Sequence, residues 1–309
     1  MLDVRRLILL RDLETHGTVT AVAEAHGVTP SAVSQQLRLL EEETRTRLLN
    51  RTGRSIHLTA AGSQLAEDTE KVLSALERAQ NRLYASAGEP AGPVHFASFP
   101  SALTPLAAPL CDALESLHPD LRLHITEAEP EIAVRLLLQR RVDIALVYRY
   151  SNLAAPPHLG VQAHTLRIDP LVAVLRSDHP AAHPHGSPVE LRELASAPWI
   201  TAPPQTACGD AVLQACRSAG FTPQVRHTCT DFAAMIALAA SGGYIALIPS
   251  MAAAHLPLTL SVRPLTDSTL VRTIEIAVRH GTIDEPAIAA CLTALYALNP
   301  PAQQGTAEL

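Results

Sequence analysis

A predicted helix over about residues 30–43 carries hydrogen-bonding groups along one face. Hydroxyls, an amide and a guanidinium recur there, on the residues Ser31, Ser34, Gln35 and Arg38. The opposite face carries apolar residues at i, i+4 and i+7, which would anchor the helix in a core; they are Val33, Leu37 and Leu40. Such polar groups suit hydrogen bonding to base edges in a major groove of DNA. An ordinary helical hairpin with a solvated polar face is the alternative.

Two shorter helical patterns precede this helix and would position it. The first covers about residues 3–15 and ends at Gly17, and the second covers about residues 20–25 and ends before Gly27. Thr29 is a suitable N-cap for the third helix, and the proline that follows it is tolerated in a first turn. The order of helix, glycine turn and helix predicts a helix-turn-helix.

A hairpin-like segment follows the third helix. Thr52-Gly53 separates two short extended runs. The basic residues Arg51, Arg54 and His57 lie around its tip and are placed to reach phosphates or a minor groove. Residues 1–58 are therefore predicted to form a winged helix-turn-helix domain that binds DNA.

A long helix is predicted from its cap at Thr59 to about residue 85. Its apolar positions recur at alternating spacings of four and three, the a/d pattern of paired helices. These positions are Leu65, Thr69, Val72, Leu76, Ala79 and Leu83. Charged residues flank this seam, which favours an exposed dimerising helix over one packed on its own domain. We assign residues 59–88 as a linker and dimerisation helix.

Apolar strands and amphipathic helices alternate from Val94 to residue 298. This alternation predicts an α/β domain of parallel sheets with crossover helices. Strands are expected at Val94–Ala97, Leu121–Thr126, Asp143–Tyr148, Leu171–Leu175, Trp199–Thr201 and Ile245–Ile248. Helices are expected at Leu103–Leu117, Glu131–Arg141, Gly209–Ala219, Asp231–Ser241 and Pro286–Leu298.

Composition limits the classes of function. The net charge of the chain is −6, but residues 1–58 hold eight arginines against seven acidic residues. There is no apolar run of the roughly 20 residues that span a membrane and no signal-peptide pattern at the start. The five cysteines form no CxxC pair, which suits a reducing compartment. These features predict a cytoplasmic protein without membrane contact.

The sequence shows no constellation that predicts catalysis or a metal site. We find no GxSxG, GxGxxG or phosphate-loop motif, and therefore predict no catalytic residues and no enzyme activity. His179, His183 and His185 fall in a proline-rich stretch that reads as a surface loop and not as a metal site.

The segment Gly17–Leu37, followed by Leu40–Glu43, resembles the LysR-type transcriptional regulators. Arg47–Arg51 and Leu58–Gly62 continue the resemblance into the wing and the linker helix. Further matching signatures are His118-Pro119, Val142–Ala145, Asp178–Pro180, Trp199-Ile200 and Ala246–Pro249. The resemblance covers nearly the whole chain, and its separate motifs occur in one order.

The resemblance implies a winged helix-turn-helix, a dimerising linker helix and a two-lobed effector domain similar to type 2 periplasmic binding proteins. It implies a bacterial regulator that binds dyad-symmetric promoter DNA as a dimer or tetramer and changes DNA bending when an effector binds. RNA polymerase is a further candidate partner. By position, Ser31, Ser34, Gln35 and Arg38 would contact bases, while Thr18 and Arg51 would contact phosphates or serve the wing.

The effector domain is predicted to span residues 93–298. One lobe comprises 93–164 with 268–298, the other comprises 165–267, and residues 299–309 form a flexible tail. The cleft between the lobes would be lined by Ser98, Phe99, Pro100, Ser101, Ala128, Glu129, Tyr148, Thr201, Ala202, Gln205 and Thr230.

The predicted cleft suggests an effector class. Ser98, Ser101 and Thr230 stand at strand-to-helix turns, where hydroxyls and helix N-termini suit a carboxylate, unless they only cap helices. Glu129 leads to the hypothesis of a cationic or amine group. The expected ligand is thus a small organic effector, such as an amino acid or a carboxylate, with no other cofactor.

Two alternative functions stay open at this point. Cys208 and Cys216 lie eight residues apart with only Arg217 as a strongly basic neighbour, so a buried apolar role is favoured over a thiol-based redox sensor. A solute-binding protein would explain two lobes but not the helix-turn-helix.

Overall fold

The computed structural model describes residues 2–52, 55–85, 90–154, 160–182, 187–254, 256–267 and 269–300. Side chains at 51, 52, 55, 70, 74, 75 and 77–85 lie outside the description. The helices are α1 (Val4–His16), α2 (Val19–His26), α3 (Pro30–Thr44), α4 (Ala60–Ala85), α5 (Pro100–Ala102), α6 (Ala108–Leu117), α7 (Pro130–Leu138), α8 (Ala207–Ser218), α9 (Phe232–Gly242) and α10 (Pro286–Leu298). The strands are β1 (Leu49–Thr52), β2 (Ser55–Leu58), β3 (Gly92–Ser98), β4 (Leu121–Glu127), β5 (Ile144–Tyr150), β6 (Val161–Arg176), β7 (Pro198–Thr201), β8 (Gln224–Thr228), β9 (Ile245–Pro249), β10 (Leu260–Pro264) and β11 (Val271–Arg279).

Local capping determines the first three helices. The side chains of Asp3, Thr18 and Thr29 accept hydrogen bonds from backbone N–H groups in the first turns of α1, α2 and α3. Gly17 and Gly27 end α1 and α2 in the left-handed conformation, with φ of 73° and 64°. The observed bounds of all three helices differ from the predicted ones by one residue at most.

The three helices share one apolar core. Leu10, Leu13, Val22, Leu37 and Leu40 are almost fully buried there, and the predicted anchor Val33 lies in the same core. The strands β1 and β2 pair antiparallel, with Leu49 opposite Leu58. The predicted helix-turn-helix and its two-stranded wing are therefore present.

The helix α4 leaves the wing at a close approach of two backbones. Thr59 accepts a hydrogen bond from Gly62 N at 3.0 Å, and its hydroxyl donates to Arg47 O at 2.8 Å. A Cβ at Gly62 would lie 2.2 Å from Leu48 O, so only glycine fits without a shift.

The predicted seam of α4 divides into two parts. Thr69 is buried, with its hydroxyl donating to Leu65 O at 2.7 Å. Val72 and Leu76 are 46% and 59% exposed. The side chains of Ala79 and Leu83 lie outside the description. The exposed half of the seam is thus the part available to a second helix.

The C-terminal sheet has the order β4-β3-β5-β11-β6-β9-β7-β8, with β10 added to β6. β3 is parallel to β4 and β5, and β7 is parallel to β8 and β9. However, β11 runs antiparallel to β5 and β6, and β6 runs antiparallel to β9 and β10. The prediction of purely parallel sheets is therefore wrong, and the sheet is mixed.

The error comes from strands that the sequence pattern did not reveal. β8, β10, β11 and the first part of β6 were not predicted. All five residues of β8 are exposed, so the strand lacks an apolar run. β11 carries Arg272, Thr273 and Glu275 among its apolar residues, and Arg272 and Glu275 pair with Asp169 and Arg149 on other strands.

One strand serves both halves of this sheet. Residues 161–170 of β6 pair with β11, whereas residues 171–176 pair with β9 or β10. β6 changes its partner strand between Pro170 and Leu171. The chain comes back to this junction near Leu270. The lobe limits given above, like the other domain limits, stay predictions, and residues 301–309 of the predicted tail lie outside the description.

The predicted helix at residues 103–117 has a different form. It begins at Pro100 and contains a π-helical turn over Leu103–Ala107 before α6. Pro105 and Pro109 lie within this stretch, and each lacks the N–H group of a regular helix.

Membrane-spanning length is not reached in the described part of the chain: none of its helices is both long and apolar enough to cross a bilayer.

Candidate DNA-binding and effector sites

The polar face of α3 is open to solvent. Ser31, Gln35 and Arg38 are exposed and Ser34 is half-buried. The hydroxyls of Ser31 and Thr29 share a hydrogen bond of 3.0 Å. The structure therefore presents the predicted base-reading residues on one accessible surface.

Polar contacts fix α3 against α1. Arg6 Nη1 lies 2.6 Å from Glu43 Oε1, and Arg6 Nε donates to Gln36 Oε1 at 3.0 Å. At its end, α3 has Arg45 at φ 50°, a left-handed position that glycine usually occupies. These contacts hold α3 in a fixed orientation on α1, with its polar face directed to solvent.

The remaining predicted DNA contacts are partly described. Thr18 is exposed and caps α2 by accepting from Ala21 N at 3.2 Å. His57 is exposed on β2, opposite Asn50 of β1. Arg51 belongs to β1, but its side chain lies outside the described residues, as does the whole of Arg54. Contact with DNA stays a prediction for all of them.

A buried ion pair lies where β6 changes partner. Arg272 is 1% exposed and Asp169 is 0% exposed, with Arg272 Nη2 at 2.7 Å from Asp169 Oδ2. Asp169 Oδ1 also accepts from Ser250 Oγ at 2.8 Å and from Met251 N at 3.0 Å. With Arg272 Nε, which donates to Oδ2 at 3.2 Å, four donors from two segments of the chain thus satisfy one carboxylate.

Arg272 connects this pair to the predicted cleft. Its Nη1 donates to Ser101 Oγ at 2.9 Å. Its guanidinium lies 5.0 Å from the centre of the Phe99 ring and 5.3 Å from that of Tyr148, within the range of cation–π attraction. The two rings meet edge to face at 4.8 Å.

Tyr148 joins these residues to Glu129. Its hydroxyl donates to Glu129 Oε2 at 2.9 Å. Burial, followed by the Glu129 carboxylate, raises the pKa of Tyr148, so the phenol stays protonated and donates. The structure therefore brings together Phe99, Ser101, Glu129 and Tyr148 from the predicted cleft.

The predicted serine and threonine roles come out differently from simple helix capping. Ser98 is fully buried, and its hydroxyl donates to Phe99 O at 3.2 Å. The N-cap of α5 is Phe99, with no side-chain bond, and the N-cap of α9 is Asp231. Ser98, Ser101 and Thr230 therefore do not serve as side-chain caps for these two helices.

The other predicted cleft residues divide by exposure. Ala128, Thr201 and Ala202 are buried, while Pro100, Gln205 and Thr230 are exposed. Gln205 has φ 73°, an uncommon conformation for this residue, and its N–H donates to Asp210 Oδ1 at 3.0 Å. The chain from Thr201 to Gln205 leads directly into α8.

Cys208 lies in the first turn of α8. It is 8% exposed, and the charges of Arg272 and Glu129 both act on its thiol. Burial raises its pKa despite Arg272 and Tyr150, which act in the opposite direction. Sequence reasoning favoured a buried apolar role for Cys208 over a redox role, and it missed Arg272 and Asp169 entirely. A charged residue within an apolar strand was the signal for Arg272.

A separate pocket of about 610 Å³ lies beside the second half of α8. It contains none of the predicted effector residues. Its lining is Ser151, Asn152, Glu190, Leu191, Arg192, Ala215, Ser218, Ala219, Leu265, Thr266, Asp267, Thr269 and Leu270. Any effector assay must therefore distinguish this pocket from the cleft.

Metal ligation has no support in the described ranges, where no cluster of three or more His, Cys, Asp or Glu side chains could hold an ion. His183 and His185 lie outside these ranges.

Comparisons with known proteins agree with the division of the chain into a winged helix-turn-helix and an α/β domain. Residues 4–63 match the model of the bacterial regulatory helix-turn-helix protein, lysR family, and residues 87–298 match that of the LysR substrate binding domain. The chain therefore belongs to the LysR family of transcriptional regulators, as its resemblance predicted.

Individual relatives agree with this assignment. The uncharacterized HTH-type transcriptional regulator YnfL of Escherichia coli K12 is 30% identical over 225 residues, 71% of this chain and 72% of that protein. The nitrogen assimilation regulatory protein nac of the same organism is 26% identical over 256 residues, 82% of this chain and 81% of its own.

Solved structures show the shared fold along the full length. A full-length OxyR from Pseudomonas aeruginosa has a TM-score of 0.65 at 19% identity and covers 99% of both chains. Full-length CbnR in complex with its target DNA has a TM-score of 0.56 at 21% identity and covers 96% of this chain and 99% of its own. The predicted fold class is confirmed.

Replacing the buried carboxylate tests the ion pair. We expect Asp169→Asn to lower the free energy of unfolding by about 3–5 kcal/mol, because it leaves Arg272 buried without its counter-charge. The measurement is denaturant unfolding followed by circular dichroism. The control is Asp178→Asn, which removes an exposed Arg–Asp pair of 2.6 Å with Arg176 and should change stability little. Equal losses in the two variants would contradict this account.

Thiol reactivity tests the redox alternative. Burial raises the pKa of Cys216 to about 12, so its thiol is neutral below that pH and the thiolate is about one part in ten thousand at pH 8. Iodoacetamide should therefore label Cys216 and Cys208 slowly in the native protein at pH 8, and faster as the pH rises. Peptide mass spectrometry gives the rates, with urea-unfolded protein as reference. Labelling of the native protein as fast as the reference would contradict this.

Proposed function

We propose that this chain is a one-component regulator that binds dyad-symmetric promoter DNA and changes its binding and DNA bending when a small molecule enters the cleft. The polar face of α3 carries the proposal. Its exposed hydroxyl, amide and guanidinium groups stand on a helix that Arg6 and the core of the domain hold in place. We further propose that it acts by binding and not by catalysis, in the cytoplasm where the promoters lie.

The second helix supports this mode of docking. The N-termini of α2 and α3 begin at their caps Thr18 and Thr29, and the N-terminal end of a helix attracts phosphates. Phosphate contacts would set the register of the domain, while Gln35 and Arg38 would read base edges. RNA polymerase remains a proposed partner by family membership alone.

Self-association completes the proposed function. A dyad-symmetric site needs two copies of α3, related by a twofold axis. Val72 and Leu76 on α4 are exposed apolar residues one turn apart, as pairing of two linker helices requires. We propose a dimer through α4 as the basic unit, with a tetramer as its assembly.

The cleft favours an effector with a cationic or amine group. Glu129 presents an exposed carboxylate beside the rings of Phe99 and Tyr148, and the nearby cation Arg272 is buried and engaged by Asp169. An amino acid would place its ammonium group at Glu129 and its carboxylate near the hydroxyl of Ser101. The buried thiols make redox sensing the weaker of the two proposals.

Specific DNA reading can be tested with paired substitutions. We expect Gln35→Ala with Arg38→Ala to weaken binding to the duplex upstream of the gene about tenfold or more, since one good bidentate base contact is worth about 1–3 kcal/mol. Fluorescence anisotropy at fixed, moderate salt gives the affinity. The matched control is Gln214→Ala with Arg217→Ala, which removes the same two side-chain types, at the same spacing, from the exposed face of α8 and should leave the affinity unchanged. The proposal fails if both pairs leave the affinity unchanged.

The effector class can be tested by ligand-induced stabilisation. Amino acids and amines should raise the melting temperature of the protein, because ligand at about 100 times Kd adds about 2.7 kcal/mol of stability. Differential scanning fluorimetry is the measurement. Glu129→Gln should abolish the shift, whereas Glu131→Gln, an exposed neighbour on the same helix, should preserve it. Stabilisation by dicarboxylates alone, unaffected by Glu129→Gln, would exclude the amine. Loss of the shift in Arg192→Ala would instead place the ligand in the 610 Å³ pocket.

A further inference from the structure

The C-terminal end of α7 contacts the DNA-binding domain. Arg11 Nη2 of α1 donates to Leu138 O at 3.5 Å, and Gln139 Nε2 lies 2.5 Å from His16 Nε2. Arg11 is 8% exposed and the adjacent Asp12 is 3% exposed. Two charged residues on the first helix of a small domain are thus buried beside the effector domain.

The tautomer of His16 follows from its two partners. His16 Nδ1 lies 2.8 Å from the carbonyl oxygen of Asp12, which can only accept, so Nδ1 carries the proton. In the neutral ring Nε2 is then an acceptor, and Gln139 donates to it. Gln139 and His16 therefore form a directed hydrogen bond between the two domains.

This contact also reaches the helix-turn-helix. Asp12 Oδ1 accepts from Arg11 Nε at 2.8 Å, and Asp12 Oδ2 lies 2.6 Å from His26 Nε2 at the end of α2. Since His26 and Gly27 immediately precede the turn into α3, the cluster Arg11–Asp12–His16–His26 connects the end of α7 to the turn of the helix-turn-helix.

The other end of α7 lies in the proposed effector cleft. Glu129 is the N-cap residue of α7 and accepts the hydrogen bond of Tyr148. The nine residues of α7 between Glu129 and Gln139 span about 13 Å at 1.5 Å per residue. Ala133, Val134 and Leu137 are buried along one side.

The far end of α7 is also held by β11. Arg279 Nη1 donates to Leu137 O at 3.2 Å and to Val142 O at 2.6 Å. The helix therefore has polar attachments at both ends and a packed side between them. Attachments at both ends are what α7 would need to pass a displacement from one contact to the other.

We infer that α7 transmits the state of the effector cleft to the DNA-binding domain, through Glu129 at one end and the Gln139–His16 contact at the other. This inference rests on the proposed function, because it gives the regulation of the same cleft. A cationic group that pairs with Glu129 competes with Tyr148 for the carboxylate. The change alters the support at the start of α7, and the rigid helix carries it to α1. Two states with different contacts at both ends are what coupling requires.

A cycle of substitutions in the full-length protein tests this without DNA or effector. Glu129→Gln weakens the attachment in the cleft, and Gln139→Ala removes the attachment to α1. The measurement is hydrogen exchange by mass spectrometry on peptides covering residues 4–17. We expect Gln139→Ala to speed exchange at the end of α1 about fivefold, the effect of one lost hydrogen bond.

The decisive result is the dependence of one effect on the other. Glu129→Gln should change the exchange of α1 in the wild-type background and leave it unchanged in the Gln139→Ala background. Tyr148→Phe should act in the same direction as Glu129→Gln and at least as strongly, since it removes the hydrogen bond that Glu129→Gln weakens. Glu131→Gln is the matched control, because it makes the same chemical change at an exposed position two residues along, and it should leave α1 unaffected.

Two outcomes overturn the inference. In the first, Glu129→Gln and Tyr148→Phe leave the hydrogen exchange of α1 unchanged. In the second, they change this exchange equally in the wild-type and the Gln139→Ala backgrounds. Failure of the proposed function is separate, since it appears in the DNA-binding assay with Gln35→Ala and Arg38→Ala. Specific DNA binding with no exchange coupling rejects only the role of α7; exchange coupling without DNA binding rejects only the regulator.

Discussion

The ion pair of Arg272 and Asp169 is the interaction on which the effector domain depends. Burying both charges costs several kcal/mol per ion, and only complete hydrogen bonding offsets this cost. Here Arg272, Ser250 and the backbone of Met251 all donate to Asp169. Because Asp169 lies two residues before Leu171, where β6 takes a new partner strand, the pair holds the junction of the two halves of the sheet.

The same pair also shapes the chemistry of the cleft. With Asp169 occupying two of its nitrogens and Ser101 a third, Arg272 contributes its flat guanidinium face to the rings of Phe99 and Tyr148. The carboxylate of Glu129, which accepts from Tyr148, is exposed at the proposed cleft. In the proposed site, this structural ion pair would thus leave Glu129 to favour a cationic group.

Sequence reasoning was most successful where the determinants are local. Caps at Thr18 and Thr29, and glycines at 17 and 27, define α1 to α3 from a few neighbouring residues. The spacing of Ser31, Gln35 and Arg38 then places them on one face. The family motifs likewise identified the two domains. Each of these features needs only neighbouring residues or one continuous motif.

Sequence reasoning was least successful where two interacting residues lie far apart in the chain. Arg272 and Asp169 are separated by 103 positions, and neither has a local pattern that announces a pair. β11 was missed because charged residues interrupt its apolar pattern, although the strand lies in the middle of the sheet. The fully exposed β8 offers no hydrophobic signal at all. The contact between Gln139 and His16 spans 123 positions and depends on how two domains meet.

Pairing of charges also answers an objection to DNA binding, namely the near-neutral balance of residues 1–58. Arg6 is neutralised by Glu43, and Arg11 by Asp12, on the side of α1. Among the described residues, no ion pair is found for Arg38, Arg45 or Arg47, which belong to α3 or follow it. These three arginines would therefore be available to phosphates in the proposed DNA complex, although Glu41 and Glu42 lie in the last turn of the same helix. Under the proposed function, affinity for DNA would depend on a few cations at fixed positions, so the orientation that α1 gives to α3 would matter more than total charge.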